Sequence, residues 1–405
     1  MAASRLYIVG AKRTPFGTFG GKLKDLTATD LGASAAAAAL AHARVPPAAV
    51  GASVWGNVAQ TSTDAAYLAR HVGLRAGLAV ESTALTVNRL CGSGFQAVVS
   101  AAHEMAGGDN ASGLALVGGA ESMSQAPLSV YGQHARFGHR LGADLSLQDT
   151  LWAALTDAHV KTPMGVTAET LGAKFGVTRA ACDAYAARSQ ARWAAAAAAG
   201  AAAPLAASVA PIDVKGKRGA PEAFSVDEHP RPATTAESLA KLAPVFVKDG
   251  GLVTAGSASG ICDGAAALVL ADEGAVKAHG LTPLARVAGW ATAGVDPRIM
   301  GLGPAPAVRL LLKRAGLALG AVDFFEVNEA FAAQVLAVAK DLGVDDAKLN
   351  VWGGAIALGH PLGASGARIL GLLAHALAAA PAARYAVGSA CIGGGQGMAV
   401  LLERV

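Results

Sequence analysis

The chain has 405 residues, long enough for two or three domains and a large core. Its net charge of +4 is spread thinly, with charged residues only 15% of the whole, which excludes the clustered basic excess of a nucleic-acid binder. The four cysteines, Cys91, Cys182, Cys262 and Cys391, form no CxxC pair, which argues against a zinc site or a disulfide framework.

Residues 1–9 run straight into a strand, with no apolar leader core and cleavage site. Leu6 to Gly10 reads as a short apolar strand, and Phe16 to Gly21 as a Gly turn. Thr27 to His42 reads as a helix, because its Ala run favours helix and Asp30 suits the start of one. A strand follows at Ser53 to Val58, a helix at Asp64 to Val72, a strand at Thr83 to Val87, a helix at Gln96 to Ala106 and a strand at Leu114 to Gly118. This alternation predicts a largely parallel sheet with helices on both faces.

From Glu121 to about Gly251 the rhythm stops and short helices and prolines take over, with Asp183 to Ala199 the clearest helix. Cys182 beside it reads as core. The basic turn Lys215 to Gly219 reads either as a phosphate contact or as a solvated hairpin tip. The longest uncharged run, Trp193 to Ile212, is nearly all Ala and Gly and is interrupted by Pro204 and Pro211, so it reads as a helix end and a loop, not a membrane span. Strand and helix resume at Ala265 to Ala271 and Asp272 to His279. A second unit begins near Thr282 and echoes the first. Pro304 to Gly316 matches Thr27 to His42, Phe324 to Asn328 matches Ser53 to Val58, Leu362 to Ala367 matches Leu90 to Gln96, and Tyr385 to Gly388 matches Leu114 to Gly118. The echo predicts a duplicated α/β unit with an insert between its halves. Tyr385 to Leu402 reads as two strands joined by a Gly turn.

The stretch Asn88 to Val98, N-R-L-C-G-S-G-F-Q-A-V, puts Cys91 where a strand turns into a helix. The unpaired N–H groups and the dipole of a helix start lower a thiol's pKa and raise its thiolate fraction. Gly92 and Gly94 are expected to leave the sulfur open to an acyl group. A buried structural cysteine beside a tight turn is the competing reading. Two Gly-dense stretches near the other end, 353–369 and 388–397, carry His360 and Cys391, and Asn328-Glu329-Ala330-Phe331 lies just upstream. A cysteine at a helix start, a histidine, a second cysteine and an asparagine make a set of nucleophile, base, second acid/base and hydrogen-bond donor.

These blocks resemble the thiolase family, and the likeness runs in order along the whole chain. It includes A-K-R-T-P-F-G at 11–17, Y-L-A-R-H-V-G-L-R at 67–75, E-S-M-S-Q-A-P at 121–127, V-D-E-H-P-R-P at 226–232 and Y-A-V-G-S-A-C-I-G-G-G-Q-G at 385–397. The wording is most similar to the degradative 3-ketoacyl-CoA thiolases of mitochondria and bacteria. The resemblance implies two βαβαβαββ halves stacked as a five-layered αβαβα core, with a loop domain over the active site. The corresponding boundaries are 1–120 completed by 252–281 for the first half, 121–251 for the loop domain, and 282–405 for the second half.

The resemblance also implies roles. Cys91 is the nucleophile and acyl carrier. His360 takes its proton and, once protonated, stabilises the enolate oxygen. Cys391, a thiol near neutral pKa, protonates the acetyl-CoA enolate and later deprotonates CoA. Asn328 holds a water that completes one oxyanion hole, and the backbone N–H groups of Cys91 and Gly393 form the other. CoA, a substrate and not a cofactor, is assigned to Arg231, Thr234 and Ser259. Arg231 between two prolines also reads as a plain exposed loop charge. Ser257 stands where the family usually has Asn. Pro163-Met164-Gly165 replaces the His-Met-Gly of short-chain acetoacetyl-CoA thiolases, which points away from a strict acetoacetyl preference.

The expected activity is thiolytic cleavage of 3-ketoacyl-CoA. The alternatives are biosynthetic condensation of two acetyl-CoA and, more remotely, a non-catalytic acyl-CoA-binding protein. By the same resemblance a homotetramer is expected, with Ser124 to His139 as its contact loop. No metal, nucleic acid or membrane span is expected. The absence of a presequence and the Ala-rich composition point to a bacterial cytoplasm, with the mitochondrial matrix as the alternative.

Overall fold

The computed structural model describes residues 5–216 and 219–405. The first half consists of β1 (Leu6–Arg13), α1 (Ala28–Ala43), β2 (Ala52–Gly56), α2 (Leu68–Arg75), β3 (Thr83–Val87), α3 (Ser93–Gly107) and β4 (Leu114–Ser122). The intervening segment holds short hairpins and two substantial helices, α4 (Met164–Lys174) and α5 (Arg179–Ala198). Then come β5 (Cys262–Asp272), α6 (Glu273–Ala278), β6 (Ala285–Gly294), α7 (Pro304–Ala315), β7 (Phe324–Val327), α8 (Ala332–Leu342), α9 (Ser365–Ala379), β8 (Tyr385–Ile392) and β9 (Gln396–Glu403).

The main strands run in the order β7-β8-β9-β6-β1-β5-β4-β2-β3. The order inverts about the β6–β1 junction. β1 and β6, β5 and β9, β4 and β8, and β2 and β7 are related pairs, and α3 and α9 occupy equivalent places. The duplication read from the sequence therefore has a topological counterpart. The largely parallel sheet does not. Only β2–β3, β2–β4 and β7–β8 are parallel, while β1–β5, β4–β5, β1–β6, β6–β9 and β8–β9 are antiparallel. The reason is connectivity. β8 and β9 are joined by a tight Gly turn that can only reverse the chain. β5 returns from the insert and enters between β1 and β4 against both.

Strand pleating sorts the core into layers. On β5, Ala266, Leu268 and Leu270 face α3 and α9, while Ala265, Ala267, Val269 and Ala271 face α1 and α2 on the other side. On β9, Met398, Val400 and Leu402 face inward, and Ala399 and Leu401 face α7 and α8. Helices, sheet, helices, sheet and helices follow in turn. α3 and α9 form the middle layer, and α9 is buried on every side from Ser365 to Leu377. A helix whose surface is mostly apolar on every side, with Arg368 paired to Glu326 and His375 bonded to the Ala11 carbonyl, belongs in such a place.

Several of the matched blocks act as fasteners between the halves and the insert. Arg13 and Asp227 form a buried bidentate pair at 2.6 and 2.9 Å, and Asp227 also accepts from the Phe16 N–H. Glu169 accepts from the N–H groups of Leu252 and Val253. Cys182 is fully buried against α8, as read. The basic turn 215–219 joins two strands of a hairpin, and its Lys217 and Arg218 lie outside the described residues.

Candidate active site

The turn that carries Cys91 is held from both sides. Leu90 takes φ 47°, a left-handed conformation unusual for leucine. The Asn88 side chain accepts from the Leu90 N–H at 2.9 Å. The Ser93 hydroxyl accepts from the Arg89 N–H at 2.8 Å and donates to the Leu90 carbonyl at 2.7 Å. α3 starts two residues later, so the strand-to-helix placement of Cys91 is as read.

The neighbouring glycines serve a different purpose from the one expected. A Cβ on Gly92 would lie 2.5 Å from Ile392, and one on Gly94 would lie 2.5 Å from the backbone N of Ala367. A Cβ on Gly366 would meet the backbone N of Phe95 at 2.3 Å. The missing side chains let the starts of α3 and α9 meet backbone to backbone. That contact brings the Cys91 turn of one half to the His360 turn of the other.

Cys91 and His360 line one cavity of about 280 Å³, walled by Met164, Phe246, Met300 and Phe331. Pro163, the residue tied to chain-length preference above, and Ser259 line it too. Cys391 is fully buried behind Met164, Ala330 and Phe331. Asn328 is also fully buried, and its Nδ2 lies 3.2 Å from His360 Nε2. On the other side of the ring, His360 Nδ1 lies 2.5 Å from the Ser365 hydroxyl. The N–H groups of Gly393 and of Cys91 itself bond the Cys91 sulfur. The four side chains and the Gly393 amide expected from the sequence therefore converge.

The electrostatics differ from the expectation. Burial pushes the Cys91 thiol up to about 11, and the two N–H bonds to its sulfur offset only part of that. The helix-start argument underestimated the cost of removing a thiolate from water. Burial, reinforced by the Arg368 guanidinium, pushes His360 down to about 3, so the imidazole is neutral. Burial, and then the nearby Cys91 sulfur, holds the Cys391 thiol well above its ordinary value, not near neutrality. At rest the site therefore holds two thiols and a neutral base, not a thiolate–imidazolium pair. Alkylation of Cys91 by iodoacetamide, followed by peptide mass, is expected to quicken about tenfold per pH unit from neutrality upward, with no plateau below about pH 9. A plateau near neutral pH would show a preformed thiolate.

Arg231 and Thr234 stand outside this cavity. The Arg231 side chain is exposed and turns back on its own loop, donating to the carbonyls of Glu228, His229 and Pro230 at 2.8–3.0 Å.

Three polar side chains that carry the site had no role in the sequence reading. Glu121, fully buried, accepts from the N–H groups of Val58, Ala59 and Gly363, tying the loop after β2 to the His360 loop. Burial raises its carboxyl to about 7 against the pull of those N–H bonds. Glu329 accepts from Tyr185, Ser189, Asn350 and the Ile356 N–H, which anchors α5 to the Asn328 turn. Ser365 is the third. Glu121 and Glu329 lie inside blocks quoted for the resemblance, and Ser365 lies five residues after His360, but nothing local marks what each one touches.

The family model "Thiolase, N-terminal domain" matches residues 6–274, and "Thiolase, C-terminal domain" matches residues 281–404. The chain is 56% identical to the mitochondrial 3-ketoacyl-CoA thiolase of Rattus norvegicus across 98% of each chain. The chain belongs to the thiolase family. It is also 44% identical to an acetyl-CoA acetyltransferase of Pseudomonas aeruginosa, across 98% of each chain. Among solved thiolase structures, human mitochondrial 3-ketoacyl-CoA thiolase in complex with CoA superposes with a TM-score of 0.94 at 53% identity, covering all of this chain and 98% of that one. The mixed sheet and layered helices described above are thus the thiolase fold.

Proposed function

We propose that this chain cleaves 3-ketoacyl-CoA with CoA, giving acetyl-CoA and an acyl-CoA two carbons shorter, as a step of fatty-acid degradation. The observation that carries the reading is an apolar cavity lined by Cys91 and neutral His360, with Asn328 on the His360 ring and Cys391 buried against the cavity residues Met164, Met300, Ala330 and Phe331. The 56% identity to a 3-ketoacyl-CoA thiolase, against 44% to an acetyl-CoA acetyltransferase, favours the degradative reading over biosynthetic condensation. The catalytic set standing complete disfavours a purely binding role.

In the proposed first half-reaction, the Cys91 sulfur bonds to the keto carbon while its proton passes to His360 Nε2. The oxyanion is met by the N–H groups of Cys91 and Gly393, which already point at the sulfur. The bond between the keto carbon and the α-carbon then breaks, and its electron pair leaves as the acetyl-CoA enolate. The protonated His360 and a water on Asn328 stabilise the enolate oxygen, and the Cys391 S–H supplies the proton to carbon. Cys391 suits this step because burial keeps it protonated. In the second half-reaction Cys391 takes the proton of CoA, the CoA sulfur attacks acyl-Cys91, and the departing Cys91 sulfur recovers its proton from His360. Proton transfer coupled to carbon–sulfur bonding avoids a free thiolate in a site that disfavours one.

Ser259 in the cavity wall is assigned to the pantetheine end of CoA, and Arg231 and Thr234 to its outer, phosphate-bearing end. Residues 1–120 with 252–281, 121–251 and 282–405 are proposed as first half, loop domain and second half. Exposed Leu128, Tyr131 and Phe137 in the 124–139 segment support it as the contact loop of a homotetramer. Among the described residues no helix is long and apolar enough to cross a membrane. The mitochondrial relatives make the matrix as reasonable a location as the bacterial cytoplasm.

Thiolysis rates with 3-ketoacyl-CoAs of increasing length test the reading. Pro163 and the apolar wall predict turnover that extends well beyond the four-carbon substrate. Activity confined to acetoacetyl-CoA would favour the biosynthetic alternative.

A further inference from the structure

We propose that Ser365 is a positioning residue for the base, fixing His360 in the tautomer that carries its proton on Nδ1 and leaves Nε2 unprotonated. The inference rests on the reading of His360 as the proton acceptor. His360 is buried, and a neutral imidazole has a single N–H, so one ring nitrogen is a donor and the other an acceptor. The surrounding hydrogen bonds decide which.

The Ser365 hydroxyl lies 2.5 Å from Nδ1 and 3.0 Å from the Pro361 carbonyl. The hydroxyl is oriented to donate its single proton to the Pro361 carbonyl. The hydroxyl oxygen is then left to accept, and Nδ1 is the donor. At the other side of the ring, Asn328 Nδ2, a donor, lies 3.2 Å from Nε2. The opposite tautomer would set an N–H against an N–H there and leave the Ser365 proton shared between two acceptors. Both contacts of the ring therefore favour the same assignment.

The geometry is rigidly held. Ser365 is the first residue of α9 and is buried, and the Pro361 carbonyl also accepts from the backbone N–H groups of Ala364 and Ser365 at 2.9 and 3.0 Å. The turn that delivers His360 and the helix that follows it are thus tied by the atom that reads Nδ1. Nε2, the nitrogen left as acceptor, is the one that the proposed chemistry requires to receive the Cys91 proton.

The test is 15N NMR of histidine-labelled enzyme near neutral pH, with the His360 signals assigned by their loss in His360→Asn. The expected result is a protonated Nδ1 and an unprotonated Nε2. Ser365→Ala is expected to lower kcat by about ten- to a hundredfold, with KM little changed, because a buried donor loses its partner and the ring loses its preference. Ser365→Thr, which keeps the hydroxyl, restores most of the rate. A wild-type spectrum with the proton on Nε2, or full kcat in Ser365→Ala, overturns the proposal. If the alanine variant fails to fold, the wild-type spectrum still decides. The spectrum needs no turnover, so this proposal and the thiolysis reading fail separately.

Discussion

Replacing Cys91 by alanine is expected to lower thiolysis by about 10^4-fold or more, since a displaced nucleophile leaves only binding and the oxyanion donors. The other thiols near the site, Cys391 and Cys262, are held protonated by burial and are poor substitutes. Cys391 is fully buried, Cys262 is fully buried against the Gly359–His360 turn with its thiol pushed well up by burial, and Cys182 is buried against α8. The variant also loses the acyl adduct. Wild-type enzyme incubated with acetyl-CoA gives a labile acetyl mass on the peptide containing residue 91, and the alanine enzyme gives none. The substitution removes one sulfur from a half-buried position, so the melting temperature stays close to wild type. Residual activity above about a tenth of wild type would assign the nucleophile elsewhere.

Replacing His360 by glutamine is expected to cost about 10^2- to 10^4-fold in kcat. The same nitrogen is asked to accept the thiol proton and then to donate to the enolate oxygen. The wild-type pH profile carries a second, sharper expectation. With the imidazole pushed down to about 3, His360 is already deprotonated across the neutral range. The group gains its proton only as pH falls toward that value. Its titration therefore puts no acid limb on kcat/KM between about pH 5 and pH 7. An acid limb near the ordinary histidine pKa that disappears in His360→Gln would show that the folded site does not hold the imidazole neutral.

Much of the architecture could be read along the chain because the helices and strands are local patterns. Thr27 is the N-cap of α1, with Asp30 completing its capping box, and the two echoing units place α3 and α9 at matching points. Strand direction was not legible, since β5 pairs with β1 and β4 across long stretches of intervening chain. The site followed the same division. The residue types at 91, 328, 360 and 391 announced the chemistry. Their ionisation did not, because it depends on packing by Met164, Phe331 and the opposing helix, none of which is a neighbour of Cys91 in sequence. Gly94 and Gly366 illustrate the same limit. Gly94 suggested open space when read alone, but together with Gly366 it marks where two backbones touch.

The resting thiol at position 91 has a consequence for survival of the enzyme in an oxidising milieu. Peroxide attacks thiolates, and damage climbs from sulfenic to irreversible sulfinic and sulfonic acids. A thiol pushed up by burial is ionised in only a small fraction of molecules at neutral pH. A nucleophile that ionises only as its substrate bonds to it is shielded between turnovers by the same enclosure that makes ionisation costly.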